Sequence, residues 1–88
     1  MKHKRQKRYF KEYWIRDDLF HDPPITYCQL YMKRHKWWPF WKKAGRYSDE
    51  DDILASLKNY MIDYDVYLKH PVYGYIDIYK FLTTGRPI

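Results

Sequence analysis

The sequence has few of the residues that build catalytic, metal or disulfide sites. Among its 88 residues are one cysteine, Cys28, and three scattered glycines. A lone cysteine excludes an internal disulfide, and scattered glycines exclude a glycine-rich loop that cradles phosphates. The separations between His3, His21, His35 and His70 are 18, 14 and 35, which match no zinc motif. We therefore expect no enzyme, no metal and no cofactor.

Long apolar runs are missing as well. The longest stretch without a charged residue covers residues 23–32, which is 10 residues, whereas about 20 are needed to span a bilayer. We therefore expect no transmembrane segment. The basic start of the chain lacks the apolar core of a secretory signal, and a single cysteine favours a reducing or organelle-matrix compartment.

Aromatic residues are abundant instead. The chain holds 11 Tyr, 4 Trp and 4 Phe, which together are 22% of its residues. Aromatic side chains bury large areas, and Tyr and Trp keep a polar tip that needs a hydrogen-bond partner. Such a composition suits an interface with a partner better than a private apolar core.

The net charge of +6 conceals an uneven distribution. Residues 1–48 contain 13 Lys and Arg against 4 acidic residues, a net charge of +9, while residues 49–88 contain 4 against 7, a net charge of −3. The excess lies in a basic arm, residues 2–16, and in a second block around the tryptophans, residues 33–46. Basic blocks of this kind contact phosphates, anionic lipid headgroups or acidic protein surfaces.

Prolines divide the chain into segments, because each one removes a backbone donor and disfavours a helix before it. We divide the chain into a basic N-terminal arm and helix (1–22), a second helix with a Trp-rich basic connector (23–47), and a long amphipathic helix with an aromatic tail (48–88). The three segments form one structural unit. Apolar spacings of 3 to 5 predict helices over about residues 4–20 and 23–36.

The clearest predicted element is a long helix that begins at Ser48. Ser48 is a capping residue, and four acidic residues follow it at the positive end of the helix dipole. Apolar spacings of 3 and 4 predict that this central helix covers about residues 49–69, before Pro71 stops it. The tail, residues 72–88, fits a helix ended by Gly85, with a strand as the alternative. The predicted fold is mainly α, an extended and non-compact set of three to four helices joined at prolines.

The candidate partner-binding residues are cations and aromatic residues of these segments. For the cluster of Trp and Phe between lysines we favour an anchor in a protein interface, because Trp, Tyr and Arg dominate interface hot spots. Contact with lipid headgroups and stacking on bases are the second and third interpretations of the same cluster. The predicted partner-binding residues are Lys4, Arg5, Arg8, Trp14, Trp37, Trp38, Phe40, Trp41, Lys42, Lys43, Tyr60, Tyr64 and Tyr67.

These features together predict a non-catalytic accessory subunit that packs on a large multi-subunit protein complex, with anionic lipid headgroups as a further partner. General compositional likeness suggests a mitochondrial respiratory-chain or ATP synthase complex, with the chain peripheral to the inner membrane. The alternative is a ribosomal or other nucleic-acid-binding protein that uses the basic arm and the Trp cluster. A regulatory protein that joins its target transiently is a third class.

Overall fold

The chain folds into a strand-rich domain. The computed structural model describes residues 5–19 and 22–86. Of these, 45% lie in strands and 24% in helices, so the predicted mainly α fold is wrong. The strands form one five-stranded mixed sheet. In chain order the elements are β1 (Lys7–Asp17), β2 (Ile25–Lys33), β3 (Lys42–Tyr47), α1 (Glu50–Met61), β4 (Asp65–His70), β5 (Gly74–Asp77) and α2 (Ile78–Thr84).

Strands β1 and β2 stand where helices are predicted over residues 4–20 and 23–36. β1 contains two Tyr, one Trp and one Ile, and β2 contains two Tyr, one Ile and one Thr, whose bulky or branched side chains favour a pleated backbone. Their few apolar residues fit helical spacing and strand alternation alike. The alternation decides the structure, because Phe10 enters the core on one face of the sheet while Tyr9 stacks on Tyr67 on the other.

β1 lies at the centre of the sheet, whose strand order is β3-β2-β1-β4-β5. It pairs antiparallel with β2 and parallel with β4, and β3 and β5 add antiparallel edge strands. Phe10 therefore lies opposite Met32 on one side and Leu68 on the other. Because parallel neighbours need a crossover connection, α1 crosses the sheet between β3 and β4.

The hydrophobic core lies between one face of the sheet and the two helices. Both α1 and α2 place their buried residues in the same cluster as the inward-facing residues of the strands. The helices therefore cover one face of the sheet and leave the other face without a helix. The buried cluster consists of Phe10, Cys28, Leu30, Ile53, Leu57, Val66 and Ile78.

α1 is shorter than the central helix predicted over residues 49–69, and its N-cap is Asp49 rather than Ser48. The Asp49 carboxylate accepts a hydrogen bond from the Asp51 N–H at 2.9 Å. Three acidic residues follow in the first turn, where the helix dipole favours them. The helix ends at Met61, well before the predicted end.

Residues 65–70 form a strand because their apolar side chains alternate between the two faces of the sheet. Val66 is buried in the core and Leu68 packs against it. Tyr67, between them, lies on the opposite face. Because period-2 alternation matches a strand and not a helix, the chain leaves the helix before this segment.

The tail contains both of its predicted conformations, since β5 is followed directly by α2. The Asp77 carboxylate caps α2 by accepting hydrogen bonds from the N–H groups of Tyr79 and Lys80, at 3.0 and 3.4 Å. Gly85 ends the helix with φ of 71°, in the left-handed region that favours glycine. Within the described ranges, neither helix has the length and apolar character that crossing a membrane requires.

The hairpin of β1 and β2 projects beyond the rest of the sheet. β2 accompanies β1 from Tyr9 to Asp17, whereas β4 accompanies it only from Lys7 to Phe10. The molecule is elongated accordingly, with extents of 56 × 29 × 24 Å. Among the described residues, the far half of β1 therefore has a neighbouring strand on one side only.

Candidate functional site

A cleft of about 630 Å³ lies at the end of the sheet, where the β2–β3 loop, residues 34–41, faces the end of α1. We name it the aromatic cleft. Its walls come from the loop, from α1 and the turn after it, and from strands β1, β2 and β3, so only the folded chain assembles it. Seven of the predicted partner-binding residues line it: Arg8, Trp37, Trp38, Phe40, Lys42, Tyr60 and Tyr64.

The aromatic cleft is positively charged. The Arg8 guanidinium lies 4.0 Å from the centre of the Tyr64 ring. It is held there because it donates hydrogen bonds to the Gln6 side chain at 3.1 Å and to the Lys7 carbonyl at 2.9 Å. A fixed cation against a ring suits a ligand that combines a flat ring with an anion. Among the described residues, the charged side chains that line the cleft are all basic: Arg8, Lys33, Arg34 and Lys42.

Lys33 holds the aromatic loop in place. Its ammonium group donates hydrogen bonds to the carbonyls of Lys36 and Trp38, at 3.0 and 2.7 Å. The Trp38 ring meets the rings of Trp37 and Phe40 edge-on, with centres 5.5 and 5.7 Å apart. Trp37 is 73% exposed and Phe40 is 68% exposed. The loop therefore presents a row of preformed aromatic surfaces to solvent.

The helix-free side of the sheet carries a second aromatic cluster, which we name the tyrosine face. Odd-numbered residues of β1 lie on this side, because Phe10 on the other side is in the core. The Tyr9 ring stacks on Tyr67 at 5.3 Å and meets Tyr75 edge-on at 5.0 Å. The aromatic members of the tyrosine face are Tyr9, Tyr13, Tyr27, Tyr31, Trp41, Tyr67 and Tyr75.

Cations lie over the rings of the tyrosine face. The ammonium groups of Lys33 and Lys11 are 4.4 and 4.8 Å from the centre of the Trp41 ring. The rings are half-buried, and such contacts are worth about 0.5–1 kcal/mol at exposed sites and about 2 kcal/mol when desolvated. The other pairs, at 4.6 to 5.7 Å, are Lys7 over Tyr67, Lys11 over Tyr31, Lys36 over Tyr75 and Arg46 over Tyr27.

Two hydroxyl groups of the tyrosine face have raised pKa values. Burial is the larger cause of the raised pKa of Tyr9, and Tyr75 adds to it. Burial also raises the pKa of Tyr67, with further contributions from Asp77 and Asp65. The two hydroxyl groups therefore stay protonated to a higher pH than an ordinary tyrosine does.

Cys28 is a core residue rather than a reactive group. It is fully buried, and burial raises the pKa of its thiol. Glu12 raises this pKa further, while a hydrogen bond with the Tyr13 backbone lowers it. Since the thiolate is the reactive form, a raised pKa makes the thiol inert.

The aromatic cleft and the tyrosine face meet at the β2–β3 loop. Lys33 lines the cleft and also lies over the Trp41 ring on the other side. Three further predicted partner-binding residues lie on this side: Trp41 and Tyr67 belong to the tyrosine face, and Lys43 is exposed on β3 opposite Tyr31. A ligand that crosses the loop can therefore contact both surfaces.

The remaining predicted partner-binding residues lie away from both surfaces or outside the described residues. Arg5 forms an ion pair with Asp65 at 3.4 Å and donates to the Tyr64 carbonyl at 2.8 Å, so it ties the residues just before β1 to the start of β4. Trp14 lies on the projecting hairpin, where its indole N–H donates to a neighbouring carboxylate at 3.1 Å. Lys4 falls outside the described residues.

The sequence predictions miss most of the tyrosine face, although the sequence contains a signal for it. Lys and Tyr alternate at every second position of residues 7–13, and in residues 27–33 Tyr27, Tyr31 and Lys33 stand at even spacings of four and two. This period-2 pattern is typical of one face of a strand. Read as a helix, the same residues are scattered around the axis and suggest no common surface.

No group of three His, Cys, Asp or Glu side chains suited to holding a metal ion occurs within residues 5–19 and 22–86. Comparison of the chain with protein-family models, with curated proteins and with solved structures finds no match.

Proposed function

We propose that the chain binds single-stranded nucleic acid, with bases stacked on the tyrosine face and phosphates held by the surrounding lysines and arginines. The main support for this function is that five rings of the tyrosine face each have a lysine or arginine over them. Open sheets with aromatic side chains bind single strands by stacking, and basic residues follow the backbone of the strand.

The energies favour an exchange of partners on the rings. The five rings are half-buried, and a cation over a ring is worth about 0.5–1 kcal/mol at an exposed site and about 2 kcal/mol when desolvated. A base stacked on an aromatic side chain is worth about 1–3 kcal/mol. A base therefore displaces a lysine such as Lys11 from its ring. The displaced ammonium group is then available to pair with a phosphate of the same nucleic acid.

The aromatic cleft extends this binding surface. Trp37 and Phe40 present exposed rings beside a lining whose charges are basic in the described part of the chain. Rings of this kind need unstacked, unpaired bases, which a duplex does not offer. The proposed site therefore binds single-stranded rather than double-stranded nucleic acid. The nucleic acid runs from the tyrosine face across Lys33 into the aromatic cleft.

Trp41→Ala tests the proposal, because Trp41 lies on the tyrosine face and outside the buried core cluster. We expect its affinity for a fluorescein-labelled single-stranded oligonucleotide to fall about tenfold, within the range for one stacked base. Tyr79→Ala is the matched control, since Tyr79 is 65% exposed on α2 and is not part of the face. Fluorescence anisotropy measures both variants. Equal affinities of the two variants would contradict the proposal.

We also propose, as a second function, that Trp37 and Phe40 anchor the chain on a larger protein assembly. Their exposure supports this, because exposed aromatic residues are typical interface hot spots. The prediction that this subunit is helical is wrong, because the segment predicted as one long helix forms α1 and then β4. The described residues also show no feature that supports the predicted respiratory-chain role. Sedimentation of cell extracts separates the two functions, because nuclease releases a nucleic-acid-bound chain but not an anchored one.

A further inference from the structure

The outer edge of β1 is open along the projecting hairpin. Beyond Phe10, where the pairing with β4 ends, β1 continues to Asp17 with β2 on its other side. β4 runs on for two residues past this pairing, to His70, and no strand of the described residues pairs with residues 12–17 of β1 on this side. An open strand edge is a template for pairing with another chain.

The backbone groups that point out from this edge follow from the pairing with β4. The Asp65 N–H donates to the Gln6 carbonyl at 2.9 Å, so the N–H and C=O groups of even-numbered residues in β1 point toward the β4 side. Further along β1, the same parity applies to Glu12, Trp14 and Arg16. These three residues therefore direct their backbone groups away from β2, to the open edge.

The side chains of residues 12–16 are complementary to the same residues of a second copy of the chain. When a second copy lies antiparallel with the two Trp14 residues opposite each other, Glu12 of each copy faces Arg16 of the other. Tyr13 then faces Ile15, an aromatic and β-branched pair that stabilises antiparallel strands. A parallel arrangement in the same register places Glu12 against Glu12 and Arg16 against Arg16, which is unfavourable. The charge order therefore selects the antiparallel arrangement.

We propose that a second copy of this chain pairs antiparallel with residues 12–16 of β1, about a two-fold axis at Trp14, and joins the two sheets into one. The parity of the backbone groups fits this register, because Glu12, Trp14 and Arg16 form hydrogen-bonded pairs with their partners and supply about six main-chain hydrogen bonds. Tyr13 and Trp14, which are 60% and 39% exposed in the single chain, lose exposed surface in the dimer.

The contacts that the dimer replaces are weak. The Glu12 carboxylate accepts a hydrogen bond from Trp14 at 3.1 Å, and Arg16 pairs with Asp18 at 2.7 Å. Both contacts are at the surface, where an ion pair contributes little to stability. Since the two-fold axis is perpendicular to the sheet, both tyrosine faces lie on the same side of the dimer. The dimer itself does not depend on nucleic-acid binding.

Charge reversal tests the dimer. We measure the mass of the full chain, free of nucleic acid, by sedimentation equilibrium up to high micromolar concentration, and expect it to double from 11.1 kDa. Glu12→Arg or Arg16→Glu places like charges opposite each other twice, so each variant is expected to dimerise at least about tenfold more weakly. The two variants mixed, or both changes in one chain, restore opposite charges and are expected to restore the dimer.

The control is Lys58→Glu, which reverses an exposed charge on α1 far from this edge and is expected to leave dimerisation unchanged. Circular dichroism checks that each variant is folded. If a reversal unfolds the chain, Glu12→Gln and Arg16→Gln replace it and are expected to weaken the dimer by a smaller factor. A wild-type chain that stays at the mass of one copy overturns the proposal, and so does a mixture of the two folded variants that remains monomeric.

Discussion

Two lysines, Lys33 and Lys11, have different roles in the proposed nucleic-acid interface. Lys33 donates hydrogen bonds to the carbonyls of Lys36 and Trp38, and its ammonium group also lies over the Trp41 ring. Lys33 therefore holds the β2–β3 loop in place and also covers the Trp41 ring. Lys11 lies over Tyr31 and Trp41 without a comparable hold on the backbone, which suits a cation that moves to a phosphate.

Two tyrosines predict how stability depends on pH. The pKa values of Tyr9 and Tyr67 are raised in the folded chain, chiefly by burial. As the pH rises through about 10, the ordinary pKa of tyrosine, the unfolded chain therefore loses these protons first. The unfolded state is stabilised, so the free energy of unfolding falls above that pH, whereas below it both states are protonated and these tyrosines cause no change. Urea denaturation at a series of alkaline pH values measures the fall.

The control for this pH dependence is the double variant Tyr9→Phe with Tyr67→Phe. Phenylalanine keeps the ring and removes the ionisable hydroxyl. We expect the free energy of unfolding of the double variant to fall less steeply with rising pH. An equally steep fall in both proteins would mean that other groups cause the alkaline loss of stability.

At the scale of elements, the effect of mutations on stability shows whether Asp49 or Ser48 caps the N-terminus of α1. Asp49 accepts the hydrogen bond from the Asp51 N–H, while Ser48 is exposed and outside this bond. We expect Asp49→Ala to lower the free energy of unfolding by about 1 kcal/mol and Ser48→Ala to change it by much less. Thermal or urea denaturation measures both variants.

Asp49→Asn is the matched control for the cap, because asparagine keeps an oxygen that accepts the hydrogen bond and loses the charge. We expect its loss of stability to lie between those of Ser48→Ala and Asp49→Ala. If Ser48→Ala is instead the more damaging change, the helix begins with the Ser48 cap that the sequence predicts.

The sequence predicts where this helix begins more closely than where it ends. The start depends on local signals, namely a capping residue and a run of acids, and α1 begins within a residue or two of the predicted position. The end depends on a choice between helical spacing and strand alternation in residues 64–70. The choice is made by pairing with β1, because Val66 and Leu68 complete the core of the sheet. The segment itself fits both patterns, and only this long-range pairing selects the strand.

At the scale of the whole molecule, topology brings together side chains that are distant in the chain. Trp37, Trp38 and Phe40 are neighbours in sequence, so their clustering was predictable. Arg8 and Tyr64 join them because β1 and β4 are parallel neighbours, which no local pattern indicates. The tyrosine face was predictable in principle from the alternation in residues 7–13, but only for a chain already known to form strands.

The measurement that tests the central claim most directly is an anisotropy titration of the unmodified chain with a labelled single-stranded oligonucleotide and with the duplex of the same sequence. Both titrations are repeated at low and moderate salt. The proposed interface predicts tighter binding of the single strand, with a slope of log affinity against log salt of about −0.7 for each phosphate contacted. Binding of the duplex as tightly as the single strand, or no binding at low salt, would contradict it.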